Sequence, residues 1–236
     1  MSSTHVSSAN RDSGNTSDFR VVSPQSLSAG PYDLDNVQLT NCAYNVGPNN
    51  NEITWTESGQ STVTSLVTPG NYDEDTILAA VKSAMEADAD SAVITVTFNE
   101  TTGKLTIAST VALILDPSRK NSVLPYLGFN VVTASTTSAV SDGVLAMDYP
   151  SSVFLRLDEF SGCFSTEIYG QYSAQVPLTG GFRSTTLVKQ QEYASRVYLG
   201  KTLRQLRIRL YDAQDRLIDN NGGNVSFTLR RLSSDH

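Results

Sequence analysis

From Phe19 onward the chain consists of short apolar runs separated by Gly, Pro and Asn clusters. Phe19-Arg-Val-Val22, Val37-Gln-Leu39 and Ile53-Thr-Trp55 are followed by the run Thr62 to Thr68, which Pro69-Gly70 should end. Strands divided by turns at such spacing predict a sandwich or barrel. The second half continues the pattern at Val153 to Phe160, Ser165 to Tyr172, Thr185 to Val188, Leu203 to Tyr211 and Val225 to Leu229. Leu206, Ile208 and Leu210 alternate with Arg207, Arg209 and Tyr211, which predicts an antiparallel strand with one buried face. Val225, Phe227 and Leu229 repeat that alternation after Asn221-Gly222-Gly223, so a C-terminal hairpin is expected.

One stretch has a different period. Ile77, Leu78, Val81, Ala84 and Met85 recur at three and four, and Asp73, Glu74 and Asp75 stand where carboxylates favour the start of a helix. A single amphipathic helix over 73–88 follows. Ile94, Val96 and Phe98, the turn Asn99 to Gly103, and Leu105 and Ile107 predict a hairpin. Val111 to Leu115 is continuously apolar, as in a strand buried on both faces, and Asp116-Pro117 ends it. Val123 to Phe129 reads as an apolar loop or short turn, and 133–143, rich in Ser, Thr and Ala, as a mobile surface loop.

Residues 1–18 carry almost no apolar side chains and are expected to form a flexible arm, because they bury too little surface to offset chain entropy. At 236 residues the chain is long enough for one all-β domain with an insertion, or for two small domains, and needs no disulfide or metal to sustain its core. The net charge of −7 argues against a general affinity for nucleic acid. That charge is uneven: residues 1–200 hold 10 basic and 20 acidic side chains, residues 201–236 hold 7 and 4. The basic segment is either a strand with a solvated Arg face or a surface that meets an acidic partner or nucleic acid.

Little in the chain points to chemistry. His5 and His236 lie near the two ends, away from any expected rigid site, so neither is placed to serve as a base. No nucleotide-binding or zinc-hydrolase motif occurs. Asp158-Glu159 is the one carboxylate pair worth weighing for glycoside hydrolysis, yet neighbours on a strand point to opposite faces. The acids at 73–75, 86, 88 and 90 lack the spacing of a calcium loop and read as capping and solvated groups. Cys42 and Cys163 have no metal or disulfide spacing and read as buried thiols. Trp55, with the tyrosines, is a sugar-stacking platform or, more simply, core. No catalytic, cofactor or metal site is expected, nor a membrane span or signal peptide; the expectation is a soluble protein made in a reducing compartment.

Pro69-Gly-Asn-Tyr72 before an acidic-start helix, the hairpin Val96-Thr-Phe98 to Leu105-Thr-Ile107, and Leu127-Gly-Phe129 resemble single jelly-roll penton or minor capsid proteins of eukaryotic large DNA viruses, virophages and polinton-like viruses. Leu206-Arg-Ile-Arg-Leu-Tyr-Asp212 and Val225-Ser-Phe-Thr-Leu229 resemble the closing strand pair of that family. The resemblance spans about 60–130 and 200–232. It implies an all-β fold, a jelly-roll sandwich of two antiparallel four-stranded sheets over 19–236, with a short helix and hairpin inserted at about 70–130; the chain departs from the family in showing no large extra insertion that would make a second, spike-like domain. It also implies a non-enzymatic virion protein, a penton whose homopentamer closes the icosahedral vertex beside the major capsid protein and neighbouring minor capsid proteins. A cement or fibre-base protein and a carbohydrate-binding jelly roll are the alternatives. Arg207 and Arg209 are the candidate subunit-interface residues, facing an adjacent copy or an acidic partner.

Overall fold

The structure, a computed structural model, describes residues 3–161, 164–166, 170–189 and 196–232, with 164–166, 170 and 171 described by backbone alone. The first strands are β1 (Ser3–Ser7), β2 (Ser13–Gly14), β3 (Asp18–Leu27) and β4 (Gly30–Thr40). Next come β5 (Glu52–Glu57), β6 (Thr62–Leu66), helix α1 (Glu74–Asp88), β7 (Ile94–Asn99), β8 (Lys104–Asp116) and β9 (Thr136–Val140). The chain continues with β10 (Ser152–Leu157), β11 (Phe160–Ser161), β12 (Phe164–Thr166), β13 (Gly170–Tyr172) and β14 (Ala174–Pro177). It ends with β15 (Thr185–Val188), β16 (Arg196–Leu199), β17 (Leu203–Tyr211) and β18 (Val225–Arg231). Two compact units result: Met1–Ala43 with Pro150–His236, and Tyr44–Tyr149.

The first unit has one sheet in the order β1-β18-β4-β16-β11, with β15 also on β4, and another in the order β14-β10-β17-β3-β2. Followed along the chain, β1, β3, β4, β10, β14, β15 with β16, β17 and β18 change sheet at every step except β10 to β14. Eight antiparallel strands interleaved in this way are a jelly roll, two Greek keys wound together. Inward residues of both sheets form one cluster, including Phe19, Leu34, Leu155, Ile208, Phe227 and Leu229, each under 2% exposed.

This fold corrects three expectations. The supposed arm supplies β1, which pairs with β18 from Ser3 opposite Arg230 to Ser7 opposite Ser226. Its place in the sheet comes from main-chain hydrogen bonds and a single apolar anchor, Val6, so composition does not reveal it. The sheets are wider than four strands, because β2 and β11 extend them and two short strands, β15 and β16, share β4. The C-terminal pair is no hairpin: β17 pairs with β3 and β10, and β18 with β4 and β1. Equal alternation identifies which face of each strand is buried, and 213–224 is long enough to carry the chain to the opposite sheet.

The insertion is also larger than expected. Tyr44–Tyr149 forms a sheet β6-β5-β8-β7, with β9 on β8, and its own core of Ile53, Trp55, Ile77, Val81, Met85, Leu115 and Phe129 among others. The helix matches its sequence: Ile77, Val81 and Met85 are buried, and Asp73 caps it by accepting from the Thr76 amide while the Asp73 amide donates to Thr76 Oγ1. The β7–β8 hairpin is as expected, with Ile94 opposite Ser109 and Asn99 opposite Lys104. Val111–Leu115 is not doubly buried. It continues β8, with Leu113 and Leu115 inward and Val111 and Ile114 half-exposed. Thr136–Val140, expected in a loop, is an edge strand whose Ala139 alone is buried.

Leu127-Gly-Phe129 owes its glycine to geometry. Gly128 has φ +86°, and a Cβ there would lie 2.5 Å from the Gly143 carbonyl oxygen. Leu127 and Phe129, on either side, are core residues. Gly128→Ala is expected to cost about 3 kcal/mol or more, combining left-handed strain of about 1–2 kcal/mol with a backbone clash. Chemical denaturation of the variant checks this, and a loss below about 1 kcal/mol would contradict it.

Candidate assembly surface

Alternation on β17 turns Leu206, Ile208 and Leu210 into the core and leaves Arg207 and Arg209 on the outer face of the β14-β10-β17-β3 sheet. Their neighbours come from both flanking strands. Arg207 stands opposite Arg20 of β3, and Arg209 is opposite Asp18 of β3 and Arg156 of β10. The Arg207 guanidinium donates to both oxygens of Asp18, at 2.9 and 2.7 Å, a two-pronged geometry suited to carboxylate. The Arg209 Nε donates to Asp158 at 3.0 Å, and its guanidinium stacks 5.5 Å from the Tyr211 ring centre. Arg156 and Arg207 also approach Asp158, at 3.6 and 3.8 Å. One carboxylate therefore gathers three guanidinium groups.

Asp158 and Glu159 follow β10 in a turn, so the strand rule applied to them does not hold. Both turn toward β17: Asp158 meets arginine side chains, while Glu159 accepts from the Arg207 amide at 3.0 and 3.2 Å. The hydrogen bond from Arg207 lowers the Asp18 pKa despite its partial burial. Burial raises that of Glu159, against the pull of the Arg207 amide. The signs differ accordingly. Asp18 contributes stability at neutral pH that is lost as pH falls through its lowered value; the Glu159 contribution is present in acid and lost as pH rises through its raised value. Glu159→Gln keeps an acceptor for Arg207 and removes the buried charge. Relative to wild type, its stability is expected to be near parity at pH 4 and to improve as pH rises above the ordinary glutamate value of about 4.3. Denaturant midpoints from pH 4 to 7 read this out, and a difference that moves the other way would contradict it.

The end of β17 is locked by aromatic and charged groups. Phe154, Tyr172 and Tyr211 pack with ring centres 5.0 and 5.9 Å apart, and the Tyr172 hydroxyl donates to Asp215 at 2.6 Å. Burial and the nearby Asp215 carboxylate push the Tyr172 hydroxyl well above its ordinary value. In the turn beyond, Arg216 donates to buried Asp212 at 2.6 Å.

On the outer face of the other sheet, Asp33 lies between Arg196 at 3.7 Å and Arg230 at 3.5 Å.

The other sequence candidates are placed as follows. Trp55 is 1% exposed inside the inserted unit, where its Nε1 donates to Ser65 Oγ at 3.0 Å, so it offers no sugar platform. His5 is exposed on β1, and His236 lies outside the described residues. Cys42 is a free thiol that is only half-buried, and Cys163 lies outside the described residues. No helix among the described residues is long and apolar enough to cross a membrane. Sequence reasoning singled out Arg207 and Arg209 but missed Asp18, Arg20 and Arg156. Their alternation was legible, but not which strands lie beside β17.

No protein-family profile matches the sequence, and no curated protein matches it. Among solved structures, the chain is similar to the mavirus penton protein, at 9% identity and a TM-score of 0.47, over 98% of this chain and 100% of that one. It is also similar to the D1-D2-D3 domains of the flagellar cap protein FliD from Escherichia coli, at 10% identity and a TM-score of 0.20, over 99% of this chain. The chain spans 57% of that flagellar structure. Both likenesses are distant, and the jelly roll here rests on strand order alone.

Proposed function

We propose that the protein is a non-enzymatic capsid subunit of the penton type. Its copies join into a homopentamer that closes the five-fold vertex of an icosahedral shell, in contact with the major capsid protein and neighbouring minor capsid proteins. The observation that carries this reading is the order β1-β18-β4-β16 facing β14-β10-β17-β3, since jelly rolls recur in viral capsids. Lectin domains share the architecture, but the residue that favoured a carbohydrate reading, Trp55, is interior.

The polar residues of the outer face agree with structure rather than catalysis. Asp158 is held by the Arg209 guanidinium and Glu159 by the Arg207 amide, so both carboxylates are engaged by β17. A ring requires unlike surfaces of one chain to meet around a closed axis. Arg207 and Arg209, held by their own carboxylates, form a rigid part of such a surface.

Light scattering of the purified protein, with electron microscopy, tests the reading. A discrete pentamer mass and five-fold rings are expected. A strictly monomeric species at high concentration, with no particle-vertex density when it is co-assembled with its capsid, would overturn it.

A further inference from the structure

Charge is divided between the two units. Tyr44–Tyr149 contains twelve acidic and four basic side chains, a net of −8, while the rest of the chain holds twelve acidic and thirteen basic, a net of +1. The jelly-roll unit also layers its charge. On the outer face of the β17 sheet, Asp18 and Asp158 have side chains 27% and 20% exposed, whereas Arg207 and Arg156 are 36% and 39% exposed. Arg20 and Arg204 are open to solvent on β3 and β17. Arg209, 24% exposed, is held as deep as the carboxylates, so the face presents positive charge outward through Arg20, Arg156 and Arg207 although it is internally paired.

We infer that this Arg-bearing face receives the acidic inserted unit of a second copy of the chain. The inference rests on the ring assembly proposed above and names the surfaces that meet. In a closed ring, several units of charge −8 are brought close together, and their repulsion opposes assembly unless each meets positive surface. The first unit supplies that surface on every copy, so the contact is head-to-tail and repeats around the axis. Such a contact gains orientation and on-rate from charge complementarity and weakens with salt as the screening length shortens to about 8 Å at physiological ionic strength.

The end of α1 identifies the acids best suited to testing. Its last turn carries Glu86 and Asp88 and no basic residue, with Asp90 just beyond. Carboxylates there oppose the helix dipole, and of them Glu86 is offset by Lys82 one turn earlier, 3.8 Å away.

The test uses three full-length variants and the oligomer mass in 0.15 M salt. Arg20→Glu with Arg156→Glu reverses the face and spares Arg207 and Arg209. Asp88→Lys with Asp90→Lys reverses charge locally at the end of α1, taking the inserted unit from −8 to −4, with a sign that suits the helix end. Each pair alone is expected to weaken assembly at least about tenfold while the circular dichroism spectrum stays that of wild type. A chain carrying all four substitutions is expected to regain part of the assembly lost in the single pairs, because Arg20→Glu and Arg156→Glu then stand opposite Asp88→Lys and Asp90→Lys, although the unit as a whole stays negative. Wild-type rings that either pair leaves intact, or a four-fold variant no better than the single pairs, would overturn the inference and leave the ring reading standing. A wild-type chain that never forms rings would overturn both.

Discussion

Removal of residues 1–10 is expected to destabilise the jelly roll by several kcal/mol rather than trim a tail. Strand β1 closes one edge of its sheet, with Val6 opposite Phe227 and only 1% exposed. Ser8 Oγ accepts from the Val225 amide at 2.9 Å and donates to Asn224 at 2.7 Å, so the start of β18 also depends on this segment. Truncation uncovers Phe227 and Leu229, both otherwise fully buried, and leaves β18 as an open edge prone to pairing with other chains. Val6→Ala isolates the apolar anchor and should cost about 1–2 kcal/mol, the worth of two buried carbon groups. Denaturant unfolding and light scattering of the truncated chain check both statements. A soluble truncation with unchanged midpoint would return the segment to the role of a loose arm.

Trp55→Ala is expected to cost about 3–5 kcal/mol in the inserted unit. The indole is the largest fully buried side chain and stands on β5 opposite Val63 and Leu115. Its loss opens a cavity between that sheet and the residues around it, and Ser65 Oγ, itself fully buried, loses the Nε1 donor. Trp55→Phe fills most of the space and should retain much of the stability, leaving mainly the lost hydrogen bond. Hydrogen exchange of β5, β6 and β8 amides localises the effect. Unchanged protection there would mean that Trp55 does not organise this core.

Local rules carried the reading of this chain where neighbours in sequence are neighbours in space. The capping box at Asp73 and Thr76, the stripe Ile77, Val81, Met85, and the hairpin around Asn99–Gly103 depend on residues a few positions apart. The two-residue period of Leu203–Tyr211 likewise identified which side of β17 is buried and that Arg207 and Arg209 lie on the other. The same rules failed at Gly30–Thr40, where Pro31, Asp33, Asp35 and Asn36 interrupt the apolar pattern of what is one long strand. There, Asn36 adopts φ +50° at a register shift against β18, and Asp33 is held by arginines from β16 and β18. Arg196–Leu199, a strand with one exposed and one buried face, was missed because four residues are too few to establish a period.

Spacing along the chain is enough to specify strands throughout, one amphipathic helix and the outward placement of two arginines, and the chain contains no recognisable catalytic motif. Backbone geometry converts that spacing directly into faces. That the polar segment Ser3–Ser7 is a strand, that β17 and β18 lie in opposite sheets, and that Tyr44–Tyr149 has a core of its own depend on long-range pairing and are seen in the folded chain. So does the pairing of Arg207 with Asp18, 189 positions away. Strand pairing is a choice among distant partners with similar local patterns, settled by the burial and hydrogen bonding of the whole sheet rather than by any one segment.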